Sequence, residues 1–272
     1  MLILLRSSSS SSNKNMRENR AKRILKNVLS DFQKHYKQIL SLPKERKYNI
    51  ISVKPAYKIV NILTKQSIVV DLGTGKDADF SQDLIDRYGL RAFGFDPTRK
   101  HHPALDSISK ERKGSFSFHK YAISDTCGTK LFYESLENVS GSFLRSHVNV
   151  RKDKVRAYEV ETVNLEAVFD MLNIDYIDLL KMDIEGEEYS VLSSAPLSVL
   201  GQIDQIVVEF HHGTINQFDV GHTRRIVRIL ETAGFMPHTV DCENYLFFRP
   251  NPKRAVVLKG DADCRVRFSA LK

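Results

Sequence analysis

The residues best suited to bind a ligand are a carboxylate and two glycines at one sharp turn. Asp71 closes the β-branched run Ile68, Val69, Val70 and is followed by Gly73, Thr74 and Gly75; a second carboxylate, Asp96, comes later. Glycine lets backbone turn tightly and come close to a ligand without a Cβ in the way. A helix starting just beyond such a turn presents unpaired N–H groups to whatever sits there. Two ligand classes use this arrangement. A dinucleotide fingerprint reads G-x-G-x-x-G/A with an acid roughly 20 residues on, and Gly73, Gly75, Ala78 and Asp96 fit it. S-adenosylmethionine sites carry D-x-G-x-G, because their ligand brings a cationic methionine end rather than a pyrophosphate. A carboxylate beside a pyrophosphate is repelled, whereas beside an ammonium it is attracted. Asp71 therefore favours the methyl donor, with a nicotinamide dinucleotide as the alternative.

Elements with recognisable patterns must position these residues. The apolar positions Phe80, Leu84, Ile85 and Tyr88, closed by Gly89, predict a helix after the turn. Strand, glycine turn and helix together make the opening unit of a doubly wound sheet. Leu90–Asp96 reads as the second strand and Phe116–Ser124 as the third; Lys130–Tyr133 and Ala157–Val163 are extended, and Asn164 caps a helix through Leu172. Glu134–Asp153 is polar and reads as a surface loop. Ile177–Asp183 and Ile203–Phe210 are near-continuous apolar runs, as expected for strands covered on both faces. After a helix ending near Gly234, Phe235–Val240 and Asn244–Arg249 form a hairpin-like pair. An antiparallel final strand set beside its predecessor suits a methyltransferase sheet better than a dinucleotide domain, which stays parallel.

The basic character of the chain sits at one end. Of its 272 residues and net charge of +8, residues 1–60 hold 14 Lys and Arg against 3 Asp and Glu, a net of +11, which leaves −3 for the remainder. Residues 1–20 read as a disordered Ser/Lys-rich tail and residues 21–64 as a basic helical extension. Within that extension, residues 21–42 have helical spacing and Lys54–Leu63 adds a second short helix. Residues 65–272 read as the α/β domain that carries the glycine turn. The basic arm could touch an anionic surface, but no aromatic-interleaved groove points to nucleic acid. No run approaches a transmembrane span of about 20 apolar residues, and Met1–Leu5 is too short for a signal-peptide core. Cys127, Cys242 and Cys264 form neither a disulfide framework nor a zinc site, which leans towards a reducing, cytoplasmic compartment without fixing it.

The block Lys181-Met182-Asp183-Ile184-Glu185-Gly186-Glu187-Glu188 resembles the K-x-D-x-E-G-x-E motif of FkbM-type methyltransferases. Asp71-Leu72-Gly73-Thr74-Gly75, Asp96, Ala122-Ile123-Ser124-Asp125 with Gly128, and Val208-Glu209-Phe210-His211 support the resemblance, which spans about Ser67–Pro250. The glycine loop departs from the family: Thr74-Gly75-Lys76-Asp77 stands where an A-N-x-G-like continuation is common. The resemblance implies a Rossmann-like class I methyltransferase fold: α/β, a mostly parallel seven-stranded sheet with an antiparallel last strand, and an N-terminal helical extension. It implies S-adenosylmethionine as cofactor and methyl transfer to oxygen on a sugar, glycan or other small hydroxylated acceptor.

The residue chemistry then assigns roles. Gly73, Thr74 and Gly75 bring backbone to the cofactor, Asp71 holds its amino group, and Asp96 accepts both ribose hydroxyls. Ala122 and Ile123 bracket the adenine. Asp183 and Glu185 lie at the C-terminal edge of a central strand, where α/β sites sit. If the acceptor is an alcohol, a base must take its proton, and Asp183, Glu185, Glu209 and His211 are the candidates. Asp183 is expected nearest the chemistry, with His211 the most natural base near neutral pH. Asp183, Glu209 and His211 could hold a divalent cation, but no metal site is assigned. Lys181, inside an apolar strand, reads as a paired structural lysine. The rival functions are an NAD(P)-dependent oxidoreductase and a non-catalytic S-adenosylmethionine-binding scaffold; a base-directed methyltransferase lacks its N/D-P-P-Y-like tetrapeptide.

Overall fold

The computed structural model describes residues 43–239 and 241–252. The expected N-terminal tail, the helix over residues 21–42 and Cys264 lie outside them. Residues 43–48 form a short helix, α1, and lead into strands β1 (Ile50–Val53) and β2 (Tyr57–Val60), an antiparallel hairpin. The helix expected over Lys54–Leu63 is therefore a turn and a strand. Tyr57 and Ile59 point to one face and are buried while Lys58 between them is half-exposed, a period of two that suits a strand. Gln205 ties the hairpin to the main sheet, with its side-chain amide accepting from Val60 N at 2.7 Å and donating to Val60 O at 3.2 Å.

The central sheet opens with β3 (Ile68–Leu72), then α2 (Asp79–Tyr88) and β4 (Arg91–Phe95). The helix begins and ends where its pattern predicts. Gly89 closes it at φ +66, donating its N–H to Ile85 O at 2.7 Å, the left-handed stop that glycine adopts without a Cβ penalty. Next come α3 (His102–Glu111) and β5 (Phe116–His119). The later strands are β10 (Ile177–Met182), β11 (Ile203–Glu209), β12 (Met236–Thr239) and β13 (Asn244–Phe248). Their order is β12-β13-β11-β10-β3-β4-β5. Every pair is parallel except those made by β13, which runs antiparallel to both neighbours. This is the expected mixed α/β sheet with its antiparallel last strand.

Alternation along β3 divides the core. Ile68, Val70 and Leu72 pack on one side with residues of α5 (Leu165–Leu172), α6 (Glu188–Ser194), α7 (Leu197–Leu200) and α8 (Val220–Thr232). Val69 faces the other side, with Leu84 of α2, Leu105 of α3, and Ile59 of the hairpin. Asn164 caps α5 as expected, its side chain accepting from Ala167 N at 2.9 Å.

A second sheet, β6-β9-β7-β8, stands beside the first. It contains β6 (Ala122–Ile123), β7 (Gly128–Ser135), β8 (Gly141–Ser142) and β9 (Val155–Val163). The single strand expected over Phe116–Ser124 is thus two, in different sheets. Its neighbour β4 runs out at Pro97, which has no N–H to extend the ladder, and Ala122 and Ile123 pair instead with Thr162 and Val163. The segment Glu134–Asp153 is likewise no surface loop. It completes β7, forms β8 and a short helix α4 (Val148–Lys152), and buries polar side chains through hydrogen bonds. Glu134 accepts from Tyr158 OH at 2.6 Å and Lys100 N at 3.3 Å, and Ser135 Oγ donates to Asp153 Oδ2 at 2.5 Å. Among the described residues no helix is long and apolar enough to cross a membrane.

Candidate active site

The turn after β3 is held by main chain on both sides. Gly73 N donates to Phe95 O at 2.9 Å, and Asp183 N donates to Leu72 O at 3.0 Å. At φ +77, a Cβ on Gly73 would stand 1.7 Å from Asp183 O, so glycine here permits two strand ends to touch. Gly75, at φ +69, has open space where its Cβ would be, and it borders a cleft. The cleft, about 650 Å³ counted to its open mouth, is walled by Gly75, Asp96, Ala122, Ile123, Phe143 and Asp183.

Asp96 sits where β4 ends, 3% exposed. Its Oδ1 accepts from Thr98 N at 2.8 Å; its Oδ2 accepts from Gly75 N at 2.9 Å and lies 3.2 Å from His101 Nδ1. Burial works to raise its pKa, but His101 and the Thr98 N–H outweigh it and hold the carboxyl below the usual range. Asp71 and Thr74 do not line the cleft. Asp71 is fully buried beneath the turn, accepting from Ser81 Oγ at 2.7 Å and facing Lys181 Nζ at 3.3 Å. Thr74 Oγ1 donates to Asp71 O at 3.0 Å. Lys181 is the paired structural lysine its strand suggested: it also donates to Gly73 O at 2.5 Å and lies 3.6 Å from Asp183 Oδ2. The carboxylate before the glycines therefore anchors the turn from below. Burial pushes its pKa up against the opposing charge of Lys181.

The second half of the site gathers around Asp183, just past β10. Tyr57 OH reaches Asp183 Oδ2 at 2.9 Å and Glu209 Oε2 at 3.2 Å, one O–H between two carboxylates. Burial and then the charges of Asp183 and Glu209 push the phenol far above its ordinary pKa, so it remains a donor. Burial and the neighbouring Asp183 also raise Glu209. His211 lies with Nδ1 at 3.0 Å from Glu188 Oε1, and Nε2 at 3.3 Å from Glu185 Oε2 and 3.7 Å from Asp183 Oδ1. Burial opposes charge on the ring, yet Glu188, Glu185 and Asp183 bring its pKa up to about 10. Three carboxylates around the ring favour its charged form and so work against His211 as the resting base. His212 turns away to Thr223 Oγ1 at 3.0 Å.

The D-I-E-G-E-E block explains itself here. Glu188, fully buried at the start of α6, accepts from Ile184 N at 2.9 Å and Gly186 N at 3.0 Å. That clasp bends the chain so that Glu185 sits at φ +53, a conformation that a residue with a side chain adopts only when its surroundings impose it. Glu185 Oε2 then meets His147 Nε2 at 2.6 Å. Burial tends to raise the Glu185 pKa, but His147 and His211 prevail and lower it.

The structure thus divides the expected residues. Gly73, Gly75, Asp96, Ala122, Ile123, Asp183 and Glu185 share the cleft wall, and Glu209 and His211 stand behind Asp183. Tyr57, His147 and Glu188 complete the site without having been singled out. Tyr57 and His147 stand in no motif, so nothing local marks them; Glu188 was visible in its block but reads equally as a helix N-terminal acid.

Residues 40–237 match the family described as the methyltransferase FkbM domain. No curated protein sequence matches the chain. Among solved structures it is similar to precorrin-6y C5,15-methyltransferase from Geobacter metallireducens GS-15, at 10% identity over 69% of this chain and 82% of that one, with a TM-score of 0.38. It is also similar to the fibrillarin pre-rRNA processing protein of Methanococcus jannaschii, at 10% identity over 70% of each chain and a TM-score of 0.42. TrmK of M. capricolum, solved with S-adenosyl-homocysteine, gives 11% identity over 70% of this chain and 66% of that one, with a TM-score of 0.34.

Proposed function

The chain belongs to the FkbM methyltransferase family, and we propose that it moves the methyl group of S-adenosylmethionine to a hydroxyl oxygen of a sugar, glycan or other small hydroxylated acceptor. The cleft fits the cofactor by its own chemistry. Gly75 leaves its backbone open, and Ala122 and Ile123 offer small apolar surface for a purine. Asp96 Oδ1, engaged by the Thr98 N–H, retains a lone pair for a ribose hydroxyl. His101 Nε2 is buried in the same wall with no hydrogen-bond partner among the described residues, a polar atom that a ligand could satisfy. Gly73, Gly75, Asp96, Ala122 and Ile123 would hold the cofactor.

Bound there, S-adenosylmethionine would supply a methyl carbon already activated by its sulfonium. The protein then has to orient the acceptor oxygen and take its proton. The observation that carries the reading is Asp183, which borders the cleft and also touches the buried acid–base group behind it. Its side chain is 27% exposed, enough to meet an incoming hydroxyl. With the cofactor bound, Asp183 would accept the O–H proton as the acceptor oxygen bonds to the methyl carbon and the carbon–sulfur bond breaks, releasing S-adenosylhomocysteine. Tyr57 connects Asp183 to Glu209, whose raised pKa makes it a sink: as Asp183 returns the proton to the phenol oxygen, the phenol passes its own to Glu209. Lys181 and His211 flank the Asp183 carboxylate, at 3.6 Å from Oδ2 and 3.7 Å from Oδ1. A parallel dinucleotide domain has no counterpart of β13, and the nicotinamide alternative falls away with the family match.

The test is calorimetric titration of the full chain with S-adenosylmethionine and S-adenosylhomocysteine, followed by methyl transfer to a panel of hydroxylated acceptors. Micromolar binding that Asp96→Ala abolishes, with transfer that Asp183→Asn slows about 100-fold, is the expected result. A folded chain that binds neither compound overturns the proposal.

A further inference from the structure

The cluster around Glu185 holds a donor set that proton transfer from an alcohol does not require. His147 Nε2 and His211 Nε2 lie 2.6 and 3.3 Å from the same oxygen, Glu185 Oε2, and the three ligand-type atoms all fall within 4.8 Å of one another. A tetrahedral ion with bonds of about 2.0–2.1 Å keeps its ligands about 3.3 Å apart, so small side-chain adjustments would seat one between them. We propose that His147, Glu185 and His211 bind one divalent transition-metal cation beside the cleft, of the kind that Zn²⁺ represents.

Each ligand is fixed by a different part of the chain. His147 is fully buried between β8 and α4, with its backbone bridged to Ile215 and Val148 N donating to Thr214 O at 3.0 Å. That pairing holds the loop bearing His147 against the loop bearing His211. His211 directs Nδ1 at Glu188, whose oxygens are themselves fixed by the N–H groups of Ile184 and Gly186. A carboxylate behind an imidazole leaves Nε2 as the ligand atom and orients the ring, the arrangement that metal-binding histidines commonly show. Glu185 reaches the same point from its strained φ of +53. The surroundings also favour a cation, since Asp183, Glu185, Glu188 and Glu209 meet there. Two imidazoles with one carboxylate suit a borderline transition metal; Mg²⁺ and Ca²⁺ prefer all-oxygen shells.

The cluster reaches the cleft through Asp183 and Glu185, so an open coordination position there would meet the acceptor. The ion would polarise the acceptor hydroxyl and ease its deprotonation towards Asp183. This role rests on the methyl-transfer reading; the existence of the site does not.

The test uses the tag-free full chain, stripped with chelator and titrated with Zn²⁺ alone by calorimetry and with Co²⁺ by visible absorption. One equivalent bound at micromolar affinity or tighter, with Co²⁺ bands that Zn²⁺ displaces, is expected. His147→Ala and Glu185→Gln should each weaken Zn²⁺ binding at least tenfold, while Asp96→Ala should leave it unchanged. Absence of stoichiometric binding or of Co²⁺ bands in the wild-type chain overturns the site whether or not the variants fold. Equal affinity in folded His147→Ala overturns it too. S-adenosylhomocysteine titrated in parallel separates the two readings: a chain that binds it but not Zn²⁺ loses only the metal. One that binds Zn²⁺ at these residues but not S-adenosylhomocysteine keeps the metal site and loses only the cofactor.

Discussion

The two ends of the cleft are built in opposite ways. At the glycine end, main chain does most of the work: Gly73 N, Gly75 N and Thr98 N are aimed by a strand end and a turn, and one buried pair beneath, Asp71 and Lys181, holds them. At the Asp183 end, side chains do it: Tyr57, His147, Asp183, Glu185, Glu188, Glu209 and His211 arrive from separated segments and converge on a few ångströms. The first end is rigid because its backbone has almost no alternative. The second is a network of charges whose protonation states depend on one another. Substitutions should therefore act on folding at one end and on chemistry at the other.

The largest effect is expected beneath the glycine turn. Lys181→Met would leave the Asp71 carboxylate buried without its cation and should cost about 3–5 kcal/mol in urea unfolding. Asp71→Asn added to it should restore part of the loss. A cost below about 1 kcal/mol would show that the turn does not rest on the pair. Next in size is Gly73→Ala, where a left-handed φ and contact with the Asp183 carbonyl combine to about 3 kcal/mol. Gly75→Ala meets only the backbone term, about 1 kcal/mol, so its loss should appear in cofactor affinity instead. Equal stability of the two alanine variants would contradict the asymmetry.

Across the cleft, Asp183→Asn should lower kcat about 100-fold, roughly 2.7 kcal/mol of barrier, with cofactor affinity changed little. A thermal unfolding midpoint that falls along with kcat would move Asp183 from chemistry to folding. The smallest effect concerns pH. Because the folded Asp96 carboxyl lies below its ordinary pKa, its stabilisation is complete above about pH 3.9 and fades as pH falls through the lower folded value. Asp96→Asn should flatten that part of the thermal midpoint measured against pH. An unchanged acid limb would mean that His101 and the Thr98 N–H do not favour the charged form.

The contrast between the ends also separates what was legible. The strand, turn and helix around Gly73 and Gly75 were readable because every signal is local: β-branched residues, two glycines, an apolar face at helical spacing and a closing Gly89. Asp96 was readable because a strand end fixes where its side chain emerges. Lys54–Leu63 misled because a ten-residue stretch with scattered apolar positions fits two periods, and packing against Gln205 and the sheet decided for the strand. Glu134–Asp153 misled because its polar residues bury themselves on partners as distant as Lys100 and Tyr158.

By itself the sequence determined the alternation of strands and helices, the antiparallel finish at Asn244–Phe248, the backbone approach at Gly73 and Gly75, and the family to which the chain belongs. These follow from local sterics, hydrophobic periodicity and one contiguous motif, which act within a few residues. The tertiary structure alone decided that Asp71 lies beneath the site, that Tyr57 links Asp183 to Glu209, that His147 joins His211 at Glu185, and that Glu188, Glu185 and Asp183 surround the His211 ring. Those properties depend on burial and on charges brought within about 4 Å, where Coulomb energies become large. No spacing along the chain encodes such distances.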